Sequence, residues 1–214
     1  MAGLLLVVSG PSGAGKDTVL HEAFKNREDI FYSISATTRS MRSNEENGKH
    51  YYFMEKDEFE AKIANGEMLE YAEYVGNYYG TPMDSVESNL EKGNNVVLKI
   101  EVQGAAEVKK KCPACVMIFI LPPSFDELVH RLKERNTDDE RTTEKRIGEA
   151  RNEIEKIGAY DYLIINDDYK EAANTLNKII ENEKGNANPI AGNAEIKNQT
   201  EFITRFTDGM NNRK

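Results

Sequence analysis

Four short apolar runs mark the chain: Leu4–Val8, Val96–Val102, Val116–Leu121 and Leu163–Ile165. Each is rich in Val, Ile and Leu, and turn-forming or polar residues bound it. Such runs predict strands buried on both faces of a parallel sheet, because neither face alternates with water. Between the runs the period changes. Phe125, Leu128, Val129 and Leu132 fall at i, i+3, i+4 and i+7, which is one face of a helix, and Ala172, Leu176, Ile179 and Ile180 repeat the spacing. Strands alternating with helical segments predict an α/β fold built on a parallel sheet with helices on both faces.

Two stretches depart from that frame. Ser35–Pro82 is rich in Tyr, Glu, Asn and Gly and holds most of the tyrosines, so it predicts a small mixed α/β insert with short strands. Asp126–Ala159 has no aromatic residue and is dense in both charge signs. That pattern suits a solvated helical pair or a lid that closes over a ligand. From Gly185 the chain is Asn-rich and carries Gly and Pro, which predicts a poorly ordered tail over 185–214.

Composition narrows the function classes. The chain has 214 residues, with 28 Lys and Arg against 37 Asp and Glu and a net charge of −9. An acidic surface repels polyanions at long range, which argues against a nucleic-acid partner. An anionic small molecule must instead meet a local basic cluster. The first apolar run is only five residues and has no basic segment before it, so neither a signal peptide nor a membrane span is expected, and the cytoplasm is the expected compartment. Cys112-Pro113-Ala114-Cys115 has no second pair, and His21, His50 and His130 are scattered, so no four-ligand zinc site is expected.

The sharpest motif follows the first run: Gly10-Pro11-Ser12-Gly13-Ala14-Gly15-Lys16-Asp17-Thr18. Its spacing through the lysine is that of a phosphate-binding loop between a strand and a helix, here Thr18–Phe24. Small residues let backbone N–H groups wrap a phosphate, and the helix adds its positive end. Lys16 brings a mobile charge to the β- and γ-phosphates. The position after the lysine, usually Ser or Thr, is Asp17, and Thr18 stands beside it. Either could face a metal ion carried by a nucleotide.

Further motifs follow in order: Ser35-Ala36-Thr37-Thr38-Arg39, Arg42, Asn47-Gly48-Lys49-His50-Tyr51, Glu70, and Gly76-Asn77-Tyr78-Tyr79-Gly80-Thr81. With the phosphate loop, this series resembles the guanylate kinases, P-loop enzymes that transfer a phosphoryl group from ATP to GMP. The resemblance runs from about Leu4 to about Glu183. It implies a P-loop core over 1–34, 83–125 and 151–184, a GMP-binding insert over 35–82 and a lid over 126–150. It further implies ATP with Mg²⁺, and GMP or dGMP as acceptor. ATP would be bound by Gly10, Pro11, Ser12, Gly13, Ala14, Gly15, Lys16, Asp17, Thr18 and Asn166.

By the same resemblance, Ser35, Arg39, Arg42, Tyr51 and Tyr79 match positions that hold the GMP phosphate. Two guanidinium forks and hydroxyls suit a dianion, since charge-assisted bidentate bonds fix orientation as well as charge. Glu70 and Thr81 match base-reading positions, and Glu101 matches an acid on the GMP side. A carboxylate accepts from guanine N1–H and the 2-amino group together. Adenine offers no such donor pair, and a site built on a hydrogen-bonded group rejects an analogue lacking it by about 10⁴ or more. Arg131, Arg135 and Arg146 match arginines that approach the ATP phosphates, where one well-placed arginine contributes roughly 10³–10⁵ in rate. With Lys16, Arg39 and Arg42 they form the expected catalytic set.

The sequence departs from the family pattern at Asp17, at Asn136, which replaces a glycine after Arg135, and at Lys99, where relatives carry an acid that helps hold the Mg²⁺ waters. Lys99 and Asp17 motivate an alternative: a guanylate kinase-like module with weakened turnover that binds a phosphorylated partner. Neither oligomeric state nor the use of the tail is legible.

Overall fold

The computed structural model describes residues 3–74, 76–134, 140–185 and 189–212. In chain order the elements are β1 (Leu5–Ser9), α1 (Lys16–Phe24), β2 (Ile30–Tyr32), β3 (Ala36–Thr37), β4 (Tyr52–Phe53), α2 (Lys56–Ala64), β5 (Met68–Tyr74) and β6 (Asn77–Pro82). They continue with α3 (Met83–Glu91), β7 (Asn95–Lys99), α4 (Val102–Lys111), β8 (Val116–Leu121), α5 (Phe125–Lys133) and α6 (Glu140–Ile154). The last are β9 (Tyr162–Ile165), α7 (Tyr169–Glu183), α8 (Pro189–Ala194) and α9 (Thr200–Asn211). The fold is mixed α/β with a parallel central sheet.

The chain forms two compact units, Met1–Val7 with Asp29–Cys115, and Val8–Glu28 with Val116–Lys214. β1 contributes to both. In the first unit the strand order is β2-β7-β1, with β2 and β7 parallel. In the second it is β1-β8-β9, with β8 and β9 parallel and in register from Ile118 opposite Tyr162 to Leu121 opposite Ile165. Every residue of β1 and β8 is buried, as expected of strands covered on both faces.

The first unit also carries a four-stranded sheet of order β4-β3-β6-β5, within the predicted insert. β3 pairs parallel with β4 and antiparallel with β6, and β6 pairs antiparallel with β5. Ala36, Phe59 and Met68 form its core, and the Phe59 and Tyr78 rings stack at 5.3 Å. The α2 helix presents Phe59 to this sheet and is otherwise largely exposed.

In the second unit α5 buries the predicted stripe of Phe125, Leu128, Val129 and Leu132. Ser124 caps it by accepting from the Glu127 N–H at 3.1 Å. Asp168 caps α7 by accepting from the Lys170 and Glu171 N–H groups. The α7 stripe Ala172, Leu176, Ile179 and Ile180 is buried as its period requires.

Two expectations need correction. The apolar run Val96–Val102 is not one strand: β7 ends at Lys99, and α4 starts at Val102 with Glu101 as its extended N-cap. The reading as a continuous apolar run missed that Val102, Ala105 and Val108 follow the helical spacing, and that Lys109, Lys110 and Lys111 sit where the helix C-terminus favours cations. The tail is the other case. Thr200–Asn211 is a helix that buries Phe202, Phe206 and Met210 at i, i+4 and i+8. The Phe206 ring meets Phe125 of α5 edge-on at 6.2 Å. An apolar face in contact with a core residue outweighs an Asn-rich lead-in. No described helix is long and apolar enough to cross a membrane.

Candidate nucleotide-binding site

The phosphate loop lies in the second unit, between β1 and α1. Gly15 is the N-cap of α1 at φ 80°, and Gly10 lies at φ 146°. A side chain at Gly10 would meet the Ile120 carbonyl oxygen at 2.3 Å, so glycine there serves both conformation and close approach. The loop closes on itself through the Ala14 N–H, which donates to Pro11 O at 3.1 Å. Lys16 Nζ donates to the carbonyls of Gly10 and Pro11, folding back over the loop. Ser12, Asp17 and Thr18 are at least partly accessible, and Asp17 lies in the first turn of α1.

A chain of polar contacts secures this loop. Asn166 is buried, and its Nδ2 donates to Ala14 O at 2.8 Å. Arg131 donates from Nη2 to Asn166 O at 3.1 Å and from Nε to Glu127 Oε1 at 2.7 Å. Thus Asn166 braces the loop from the end of β9, and Arg131 of α5 is tied to the loop through Asn166. Glu127 was not anticipated, although its position four residues before Arg131 on one helix face was a usable signal. Arg146 lies half-buried on α6. Arg135 and Asn136 fall outside the described residues.

The second cluster lies in the first unit. The β5–β6 register sets Glu70 opposite Thr81, and Thr81 Oγ1 donates to Glu70 Oε1 at 2.7 Å. A bulge in β5 between Met68 and Glu70 re-aims the strand at this point. Glu70 is 7% exposed, and burial pushes its carboxyl above the usual range. The Thr81 hydroxyl and the charge of Lys111 oppose the shift, and Glu101 reinforces it. Glu101 itself is exposed at the N-cap of α4.

On the same sheet, Arg39 stands 5.4 Å from the centroid of the Tyr51 ring and 5.5 Å from that of Phe53. The Tyr51 and Tyr79 rings meet edge-on at 6.1 Å. Arg39, Tyr51 and Tyr79 therefore come together as expected. Glu45 was not foreseen. Its two oxygens accept from Arg39 Nη1 and Nη2 at 2.8 and 2.7 Å, and Oε2 also accepts from the Arg42 N–H at 2.8 Å. This fork holds the Glu45 carboxyl at about 2 and raises the Arg39 guanidinium further above its usual range. Arg42 is exposed beside the pair, and Ser35 is half-buried just before β3. Lys99 ends β7 as its one exposed residue.

The first unit thus combines a buried carboxylate–hydroxyl pair with an arginine–tyrosine group, and the second holds a glycine loop with a lysine and an arginine. A buried carboxylate can accept two coplanar N–H groups, the arginine group can bind a dianion, and the loop can wrap a polyphosphate. Among the described residues no group of three His, Cys, Asp or Glu could hold a metal ion. Mg²⁺ is usually held by substrate phosphates, waters and one or two protein oxygens. The hydroxyl of Thr18 and the carboxylate of Asp17 are donors of that kind.

Comparison with known proteins agrees with the motif series. A family model described as guanylate kinase matches residues 3–183. A guanylate kinase of Streptococcus thermophilus is 51% identical over 191 residues, covering 89% of this chain and 91% of that protein. One from Latilactobacillus sakei is 50% identical over 182 residues, covering 85% and 90%. The crystal structure of guanylate kinase from Anaplasma phagocytophilum superposes with a TM-score of 0.66 at 33% identity, covering 96% of both chains.

Proposed function

The chain belongs to the guanylate kinase family, and we propose from this that it transfers the γ-phosphoryl group of ATP to the phosphate of GMP, and of dGMP, giving ADP and the diphosphate. An oxygen of the acceptor phosphate attacks the γ-phosphorus in line, and the bond to the β–γ bridging oxygen breaks. The acceptor oxygen is already anionic, so positioning and charge neutralisation supply the catalysis rather than a strong base.

The residues divide by role. Gly10 to Thr18 wrap the ATP phosphates, and Lys16 exchanges its carbonyl partners for phosphate oxygens. Arg131, Arg135 and Arg146 neutralise charge on the transferring group, and Asn166 holds the loop at Ala14. Mg²⁺ accompanies ATP, fits the oxygens of Thr18 and Asp17, and when bound adds neutralising charge on the phosphates. Arg39, Arg42, Tyr51, Tyr79 and Ser35 hold the GMP phosphate, and Glu70, Thr81 and Glu101 face the base. On this reading residues 35–82 are the acceptor insert, 126–150 the lid and the remainder up to 184 the core. The compartment is the cytoplasm, where both nucleotides are found.

The observation that carries the proposal is the Glu70–Thr81 pair, a buried carboxylate with one oxygen held by a hydroxyl. Guanine matches such an acceptor, and adenine would leave it unpaired. Coupled ADP release measured with GMP, dGMP and AMP tests this. Release with both guanine nucleotides and none with AMP is expected. Nucleotide binding without GMP-dependent release would overturn the enzymatic reading.

A further inference from the structure

Gly104 sits in the third position of α4, where it is buried. A glycine inside a helix is destabilising relative to alanine, because it loses more backbone entropy and adds no packing. Its presence there therefore calls for a spatial reason. A β-carbon at position 104 would lie 2.7 Å from Glu70 Oε2, 3.2 Å from Cδ and 3.5 Å from Cγ. The carboxylate thus occupies the space that any other residue's side chain would fill.

The surrounding contacts decide what would yield. Lys111 Nζ donates to Met68 O at 2.8 Å, tying α4 to β5 two residues from Glu70. The other carboxylate oxygen, Oε1, is held by Thr81 at 2.7 Å. Helix and strand are therefore fixed to one another, and the end of the Glu70 side chain is the movable part. An added methyl group would push the carboxylate away from Gly104 and disturb its bond to Thr81.

We propose that Gly104 is a specificity-determining residue, whose missing side chain sets the position from which the Glu70 carboxylate reads the acceptor base. The inference rests on the reading of Glu70 as the guanine-recognising group. Gly104 acts through Glu70 and is a positioning residue.

The test is steady-state kinetics of Gly104→Ala with GMP and with IMP, which keeps N1–H but lacks the 2-amino group. Melting temperature and the KM for ATP are measured alongside. A displacement of about 1 Å costs on the order of 10²-fold where orientation matters. The kcat/KM for GMP is expected to fall by at least about ten-fold, and the preference for GMP over IMP to narrow. The melting temperature and ATP KM should hold, since alanine suits a helix better than glycine. Glu70→Asp in the Gly104→Ala background, which retracts the carboxylate by one methylene, should cost less than the two single losses multiplied. Unchanged GMP kinetics in Gly104→Ala would overturn the proposal, as would an equal loss for GMP and IMP with a lowered melting temperature. Glu70→Gln separates the two readings. If it leaves GMP kinetics intact, the base-reading role of Glu70 fails. If it acts while Gly104→Ala does not, only the role of Gly104 fails.

Discussion

In the proposed base-reading role Glu70 must be ionised to accept two guanine N–H groups, yet burial favours its neutral form. With a folded-state pKa above the ordinary value of about 4.3, it protonates earlier as pH falls. The KM for GMP should therefore rise on acidification from a pH above the normal glutamate range. The GMP phosphate also titrates, near pH 6, and Glu70→Gln isolates its share: the variant should keep only the phosphate limb and lose about 10²-fold in kcat/KM at neutral pH. Superimposable profiles would show that Glu70 does not titrate against the ligand. Glu45 has the opposite sign. Its folded-state carboxyl lies at about 2, so its contribution to stability is complete above the unfolded value and is lost as pH falls towards 2. Glu45→Gln should lower the melting temperature slightly at neutral pH, with the difference from the parent closing between about pH 5 and pH 2. The same substitution frees the Arg39 fork and should raise the KM for GMP by about ten-fold. At this scale Glu70, Thr81 and Arg39 could be singled out as candidates from the sequence because they belong to ordered motifs. Glu45 and Gly104 were illegible: a carboxylate between two arginines has many partners available, and a helical glycine's neighbour across the fold leaves no trace in spacing.

Elements were legible where one signal dominated. β1, β8 and the stripes of α5 and α7 follow directly from unbroken apolar runs or a clean 3.6 period. The short strands within 35–82 were legible in its composition, but their order was not, because pairs such as Glu70 with Thr81 depend on a bulge. α4 was concealed by an apolar run that crosses from strand to helix cap, and α9 by the polar residues before it. The family match ends at residue 183, and α9 lies beyond it. In this helix Phe206 packs on Phe125, and Arg151 of α6 both donates to Met210 O and lies 4.7 Å from the Phe125 ring centroid. The tail helix thus ties α5 to α6, the two helices that carry Arg131 and Arg146. Removing a buried phenylalanine costs about 3 kcal/mol, equivalent to a fall of roughly 6–12 °C in Tm for a chain of this size. For Phe206→Ala we expect that loss, with the amides of α9 exchanging first. The kcat should fall more than the KM for GMP. A variant with unchanged Tm and exchange would show that α9 does not stabilise these helices.

For the whole molecule, a net charge of −9 stands against two polyanionic substrates. The two effects act at different ranges. The summed field acts over the Debye length, which shrinks from about 30 Å at 0.01 M to about 8 Å at 0.15 M and about 3 Å at 1 M. Contacts of the Arg39 or Lys16 kind act at 2.7–3.1 Å, well inside the first two of these lengths and comparable with the last. Adding salt from 0.01 to 0.15 M should therefore screen the long-range repulsion and leave the contacts largely intact. The KM for GMP is expected to hold or fall over that interval and to rise only towards 1 M, where the local charges are screened as well. Steady-state kinetics in sodium chloride at fixed free Mg²⁺ measures this. A rise in KM beginning at 0.01 M would mean that the basic residues dominate the field even at long range, and that the acidic exterior has no influence on nucleotide capture.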